Sequence, residues 1–272
     1  MLDAFWLALL VKILATVSVV LLASVAAERG GPFWGGLICS LPLGAGPGYV
    51  LLALQATPGF VAASALNSFA ATAAVNLFLV AVVKLAPRCT IVPLLAGALG
   101  VWLAAVLVIR EIAWTPLTAT AAVLATFLIG VRLTRGATAG VVAATPPRSR
   151  LDLPLRALAT GLVVAGIVTA SQAIGTRMTG ILLVFPIVLV SFVIVIHGRL
   201  GGAAAAATMA NGLRAMPGFC LALMTLHVLA PSGLVLALCS ALGASLAYVL
   251  AVMAWRASAS SQVRNRATVR SS

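Results

Sequence analysis

Residues 12–20 read KILATVSVV, and residues 156–164 read RALATGLVV. The two stretches lie 144 positions apart and agree as cation, x, Leu, Ala, Thr, x, x, Val, Val. Each sets a cation inside an apolar run. Followed outward, the match pairs residues 7–87 with 151–231 without a gap. About a quarter of the positions are identical, which marks an internal duplication. Gly31/Gly175, Gly36/Gly180, Pro42/Pro186, Asn67/Asn211 and Leu-Ala-Pro at 85–87 and 229–231 fall in step. Beyond that the shift drops to 143, pairing ALGVWLAAVL (98–107) with ALGASLAYVL (241–250). Likeness between two Ala-, Leu- and Val-rich helices arises easily by chance. An ungapped run with glycine, proline and asparagine in register does not.

Composition sets the solvent. The chain is 63% hydrophobic and 8% charged, with a mean hydropathy of +1.21; soluble domains carry about 25% charged residues. Apolar runs of about 20 residues, each long enough to cross a hydrocarbon core, follow one another. In lipid the backbone must satisfy its own hydrogen bonds, so these runs are expected to be helices. The fold class is an all-α polytopic membrane protein whose first partner is the bilayer. The net charge of +13 fits retention of Arg and Lys in cytoplasmic loops. No Arg-rich stretch alternates with aromatics, so nucleic acid is not expected as a partner. Cys39, Cys89, Cys220 and Cys239 lack metal or redox spacing and read as small buried hydrophobes.

About nine transmembrane helices are predicted: 4–27, 35–55, 60–85, 91–109, 113–131, 152–173, 178–197, 203–229 and 233–254. The first resembles a signal peptide around LLASVAAE, but its n-region carries Asp3 and no early cation, and it has a copy deep in the chain. It reads as a retained span. Trp6, Trp34, Trp114 and Trp255 fall at span ends, where an aromatic belt sits. The organisation is a first four-helix repeat (1–110), a connecting span (111–131), a linker (132–150), a second repeat (151–255) and a basic tail (256–272). The tail has nothing to bury and is expected to be disordered.

Cations set the orientation. Arg132, Arg135, Arg148 and Arg150 in the linker, and Arg256, Arg264, Arg266 and Arg270 in the tail, place both in the cytoplasm. Nine spans then put the N-terminus outside and the C-terminus inside a bacterial inner membrane. Arg29, Lys84, Arg88 and Arg199 also fall inside, leaving Arg110 and Arg177 outside. The odd connecting span turns the second repeat upside down. Loop charges agree: Lys84 and Arg88 become Val228 and Ser232, while Gln55 becomes Arg199. The expected architecture is therefore two inverted four-helix repeats joined by one extra helix. Inverted repeats are common in secondary transporters, with the site near the midplane between them.

RMTGILLVFPIVLVSFVIVIHGRLGG (177–202) resembles the second-helix region of the GlpM-type membrane proteins, small four-helix proteins with a Gly-x-x-x-x-Phe-Pro pattern, an apolar run and a glycine-containing loop. Gly180, Phe185, Pro186 and Gly198 carry the likeness. LLVKILATVSVVLL (9–22) is similar to that family's first helix, lysine included. The first copy departs from the pattern, with Leu41-Pro42 for Phe-Pro and then GAGPG at 44–48. The resemblance implies two such units fused head to tail. The family is linked by name to glycerol metabolism and has been associated with exopolysaccharide (alginate) production. The resemblance supplies no substrate or catalytic residue.

Candidate substrate-binding residues are Lys12, Arg156, Asn67, Asn211 and Arg214. Arg156 is expected roughly 8 Å below the inner surface and Lys12 roughly 12 Å below the outer one. A charge at mid-bilayer costs at least about 2.5–3.5 kcal/mol. Snorkelling relieves that cost for either side chain; alternatively the pair flanks a pathway for an anion. Asn67 and Asn211 match across the repeat, with Asn76 further along; each either bonds a neighbouring helix or lines the site. Arg214 has no counterpart, since Ala70 takes its place. Pro42, Gly44, Gly46, Pro47, Gly48 and Pro186 are candidates for a broken helix or hinge. His197 and His227 have no nearby carboxylate and read as hydrogen-bonded or solvated. Asp3, Glu28, Glu111 and Asp152 all lie at span ends, which argues against a carboxylate-driven cation exporter. No phosphate-binding Gly-Lys-Ser/Thr loop is present.

The expected function is transport of a small or lipid-linked solute by alternating access, the solute being anionic if the cations contact it. No cofactor or metal is expected, and an intramembrane enzyme lacks a credible catalytic group. The rival reading is a non-catalytic scaffold or accessory subunit of an envelope-polysaccharide assembly. A homodimer or an envelope-assembly partner remains open.

Overall fold

The computed structural model describes residues 45–137 and 152–270, with Ser18 as a single helical position; for 152–156 and 255–270 it describes the backbone alone. Lys12, Pro42, Gly44, the first span apart from Ser18, and most of the 132–150 linker lie outside the described residues. Every element among the described residues is helical. They are α1 (Ala45–Ala53), α2 (Pro58–Leu85), α3 (Ile91–Ile109), α4 (Pro116–Leu133), α5 (Asp152–Leu183), α6 (Ile187–Leu229) and α7 (Leu234–Arg270), with a 3-10 turn at Ala230–Ser232.

The ends follow from local chemistry. Thr57 caps α2 by accepting from Phe60 N, and Pro58 opens the helix where a missing N–H costs nothing. Thr115 and Thr118 form a reciprocal capping box at the start of α4, again with proline at the first position. Pro87 and Pro231 follow the ends of α2 and α6 and forbid continuation. Gly175 (φ 74°, ψ 172°) and Gly201 (φ 82°, ψ 173°) interrupt α5 and α6 in a region of backbone space open essentially to glycine. Each long helix is thus two limbs, 152–174 and 176–183 in α5, and 187–200 and 202–229 in α6.

α2 is the centre of the fold. In its most apolar window 72% of residues are buried, against 22% in α3, 17% in α4 and 22% in α7. The outer helices turn Leu103, Leu107, Leu124, Leu128, Leu236 and Leu250 outward. Water would penalise that surface, whereas hydrocarbon does not. Among the described residues, five stretches are long and apolar enough to cross a membrane, one of them the interrupted run Ala157–Ser232. The chain is accordingly a helical, multi-pass type of membrane protein.

The 202–229 limb lies antiparallel to α2. A Cβ on Gly202 would overlap the Ala86 carbonyl at the end of α2. At the opposite end His227 Nδ1 is 2.9 Å from Ala62 O, and midway Thr72 Oγ1 is 3.7 Å from Cys220 Sγ. The bounds 58–85 and 202–229 correspond at the 144-residue shift. Both limbs end on an alanine with φ −55° and ψ −39°, Ala86 and Ala230. Arg177 Nη1 donates to Arg110 O at 2.7 Å, so these two cations share one end of the bundle. His197 Nε2, 3.1 Å from both Ala86 O and Cys89 O, marks the other end. Lys84, Arg88 and Arg199 lie near it in the chain.

Three expectations change. The 178–197 span is not continuous but two limbs separated at Val184–Pro186. The helix predicted to end at 254 continues as α7 to Arg270; the tail contains no Gly or Pro to stop it. Cys239 is exposed rather than buried, on the outward face of α7.

Candidate functional site

Pro186 has no N–H to give the preceding turn. Ile187 N instead bonds Phe185 O at 2.8 Å, Phe185 N bonds Leu182 O at 3.0 Å, and Val190 N to Pro186 O, at 2.8 Å, restarts the helix. The carboxyl end of limb 176–183 therefore stops inside the bundle, facing the amino end of limb 187–200. These ends carry partial negative and positive charge respectively.

Limb 176–183 lies against α2. A side chain on Gly180 would overlap the Ser64 carbonyl and crowd Asn67 Cβ and Ser68 N, so only glycine allows this approach. It brings the Gly180 carbonyl to 2.6 Å from Ser68 Oγ, which donates to it. With that proton committed, Ser68 accepts from Tyr49 O–H, also at 2.6 Å. Tyr49 comes from α1, which packs on α5 through Gly48 beside Leu183 and Val164.

Ser68 belongs to a larger pattern. Ser64, Ser68, Thr72 and Asn76 recur every four residues on one face of α2, and each is 0% exposed. The stripe is about 18 Å long. Thr72 donates to Phe69 O and meets Cys220. Asn76 Nδ2 donates to Thr126 Oγ1 of α4 at 3.2 Å. Ser64 Oγ and Asn76 Oδ1 have no hydrogen-bond partner among the described residues. An unpartnered buried polar atom costs about 1–3 kcal/mol. The spacing is visible in SALNSFAATAAVN (64–76), yet of these four only Asn76 stands out in a sequence reading.

A second polar feature lies on the 202–229 limb. Arg214 sits about 18 Å from the Gly202 end and about 22 Å from the Leu229 end, so it lies near the middle of the limb. Its Nη1 donates to Asn211 Oδ1 at 3.3 Å, and Tyr248 O–H of α7 donates to the Arg214 carbonyl at 3.4 Å. The Arg110–Glu111 ion pair lies elsewhere, on the surface. Pro217, one turn on, interrupts the backbone ladder of the same limb.

The predicted residues divide accordingly. Asn211 and Arg214 come together. Asn67 instead donates to Ala63 O of its own helix at 2.8 Å, and no hydrogen bond joins it to Asn211. Pro186 lies in the helix break. Gly46, Pro47 and Gly48 lie within α1, in helical backbone. Arg156 is in the first turns of α5, with its backbone alone described.

No family model, curated protein or solved structure matches this chain.

Proposed function

We propose that this chain is a membrane transporter that moves a small or lipid-linked anionic solute by alternating access between two inverted four-helix repeats. The observation that carries the reading is the helix break at Val184–Pro186, set beside a central antiparallel pair with matching bounds. Such breaks place backbone dipoles at mid-membrane, where a solute is held. The antiparallel course of α2 and the 202–229 limb is the relation that inversion requires. Arg214 supplies a positive charge near mid-membrane, and an arginine there is rarely retained without a role. Lys12 and Arg156 would flank the route. The frame is a nine-span inner-membrane protein, N-terminus outside, made of two GlpM-type units.

The tight approaches of Gly180 and Gly202 to α2 also suit a rigid scaffold in an envelope-polysaccharide assembly, the second reading. Single cysteines in a cysteine-free background separate the two. Cysteines at 2, 140 and 262 report topology: position 2 should react with an impermeant thiol reagent from outside, the others from inside. A cysteine at 72, buried between α2 and the 202–229 limb, should react slowly from both sides in a transporter. In a rigid scaffold it should react from neither, and that result would remove the transport reading.

A further inference from the structure

We propose that the face of the 202–229 limb formed by Thr208, Asn211 and Gly212 is the docking surface for residues 32–39 of the same chain, which lie outside the described residues. The inference rests on the inverted-repeat reading and names a second contact between the repeats. The described half supplies the pattern. Gly180, from the second copy, lies against Ser64 O, Asn67 Cβ and Ser68 N of α2, from the first. Limb 176–183 thus packs on a helix of the opposite copy. α2 and the 202–229 limb run antiparallel, with bounds that correspond at the 144-residue shift. A two-fold axis relating them gives each such contact on α2 an image on the limb. In that image Gly180 becomes Gly36, and Ser64, Asn67 and Ser68 become Thr208, Asn211 and Gly212. Both copies keep the glycine that the close approach demands.

Two further observations favour this occupant. Asn211 is exposed, whereas its match Asn67 is half-buried. Asn211 also holds the Arg214 guanidinium, near the middle of a limb that crosses the membrane. Left to hydrocarbon, a charge at that depth costs at least about 2.5–3.5 kcal/mol, so this face needs a cover other than lipid. The chain also keeps residues 32–39 close by. α1 starts at Ala45 and touches both α5 and α7. α7 in turn meets the limb, where Tyr248 bonds the Arg214 carbonyl. The link from 39 to 45 spans at most about 20 Å.

The test is disulfide formation in the full chain, in membranes, with native cysteines replaced and a protease site placed in the 132–150 linker. Gly36→Cys paired with Asn211→Cys or with Thr208→Cys should form an intramolecular disulfide on mild oxidation, so that the cleaved halves still migrate together. The described counterpart, Gly180 with Asn67, brings the two Cβ positions to 2.8 Å, within a small shift of disulfide spacing. Gly36→Cys with Leu221→Cys, about 15 Å further along the limb, should leave the halves separate. Thr72→Cys with native Cys220 retained, whose side chains meet at 3.7 Å, is the positive control. Should the Gly36 variants fail to fold, native Cys39 with Phe192→Cys, the image of Leu183 against Gly48, asks the same question without changing a glycine. Separate halves in every test pair, with the control joined, would overturn the docking. A disulfide between two chains would overturn it in favour of a second copy. Topology labelling at 2, 140 and 262 is independent of these pairs: inverted halves without the disulfides remove the docking alone, and parallel halves remove the reading it rests on.

Discussion

Trp102 meets Phe185 edge to face, with ring centres 5.0 Å apart and planes at 82°. Phe185 is the residue before Pro186 in the helix break, so this contact joins α3 to the break. Trp102 is 6% exposed, and its Nε1–H has no partner among the described residues. The ring therefore contributes through packing, and the indole N–H detracts from it.

This makes the two halves of the Trp102 side chain separable. Trp102→Phe keeps a ring against Phe185 and removes the unpartnered donor, so its stability should stay within about 1 kcal/mol of wild type. Trp102→Ala should cost about 3–5 kcal/mol. Reversible unfolding in mixed micelles measures both. Equal damage from the two variants would show that the N–H has a partner.

Gly180 and Gly100 predict opposite responses to one added methyl group. A Cβ at Gly180 would overlap the Ser64 carbonyl, whereas a Cβ at Gly100 meets nothing within 4 Å. Gly180→Ala should destabilise by about 1–3 kcal/mol through overpacking, with Gly100→Ala neutral or slightly stabilising. Yield of monodisperse protein and unfolding midpoint report the difference. A tolerated Gly180→Ala would mean that limb 176–183 does not pack this closely on α2.

The Asn76–Thr126 hydrogen bond ties the central helix to α4. A double-mutant cycle with Asn76→Ala and Thr126→Val should give a coupling near the membrane average of about 0.6 kcal/mol, and below about 1.7 kcal/mol. Zero coupling would place the two side chains apart.

Arg214→Ala should abolish uptake of anionic solutes into proteoliposomes without lowering expression, since no carboxylate contacts the side chain among the described residues. Lys12→Ala and Arg156→Ala should do the same if the three cations share a route. Full uptake in all three variants would make the anionic solute untenable.

Membrane class and helical content were legible in the apolar run lengths alone, because lipid leaves an apolar segment few alternatives to helix. Four of the predicted spans lie within three residues of α2, α3, α4 and the 202–229 limb, as caps and prolines act on their own neighbours. The fate of Pro186 was only half legible. Proline guarantees a lost donor, but whether the helix bends or stops depends on what packs against it. Here it stops, and Ser68 binds the Gly180 carbonyl. The rest of the stripe that ends at Asn76 is not legible in the sequence, because a serine or threonine in an apolar helix can bond its own backbone and signify nothing.

The sequence by itself determined a helical, multi-pass chain and the places where those helices begin, because hydropathy and capping are local properties. It also carried the 144-residue correspondence, from which the equal bounds of α2 and the 202–229 limb could be anticipated. Tertiary structure alone decided that α2 is the buried centre and that Asn67 turns to its own helix while Asn211 receives Arg214. It also brought Tyr49, Ser68 and Gly180 into one chain of hydrogen bonds. Those relations join residues up to 131 positions apart, and a hydrogen bond between such distant groups depends on how the helices pack, which no local pattern records.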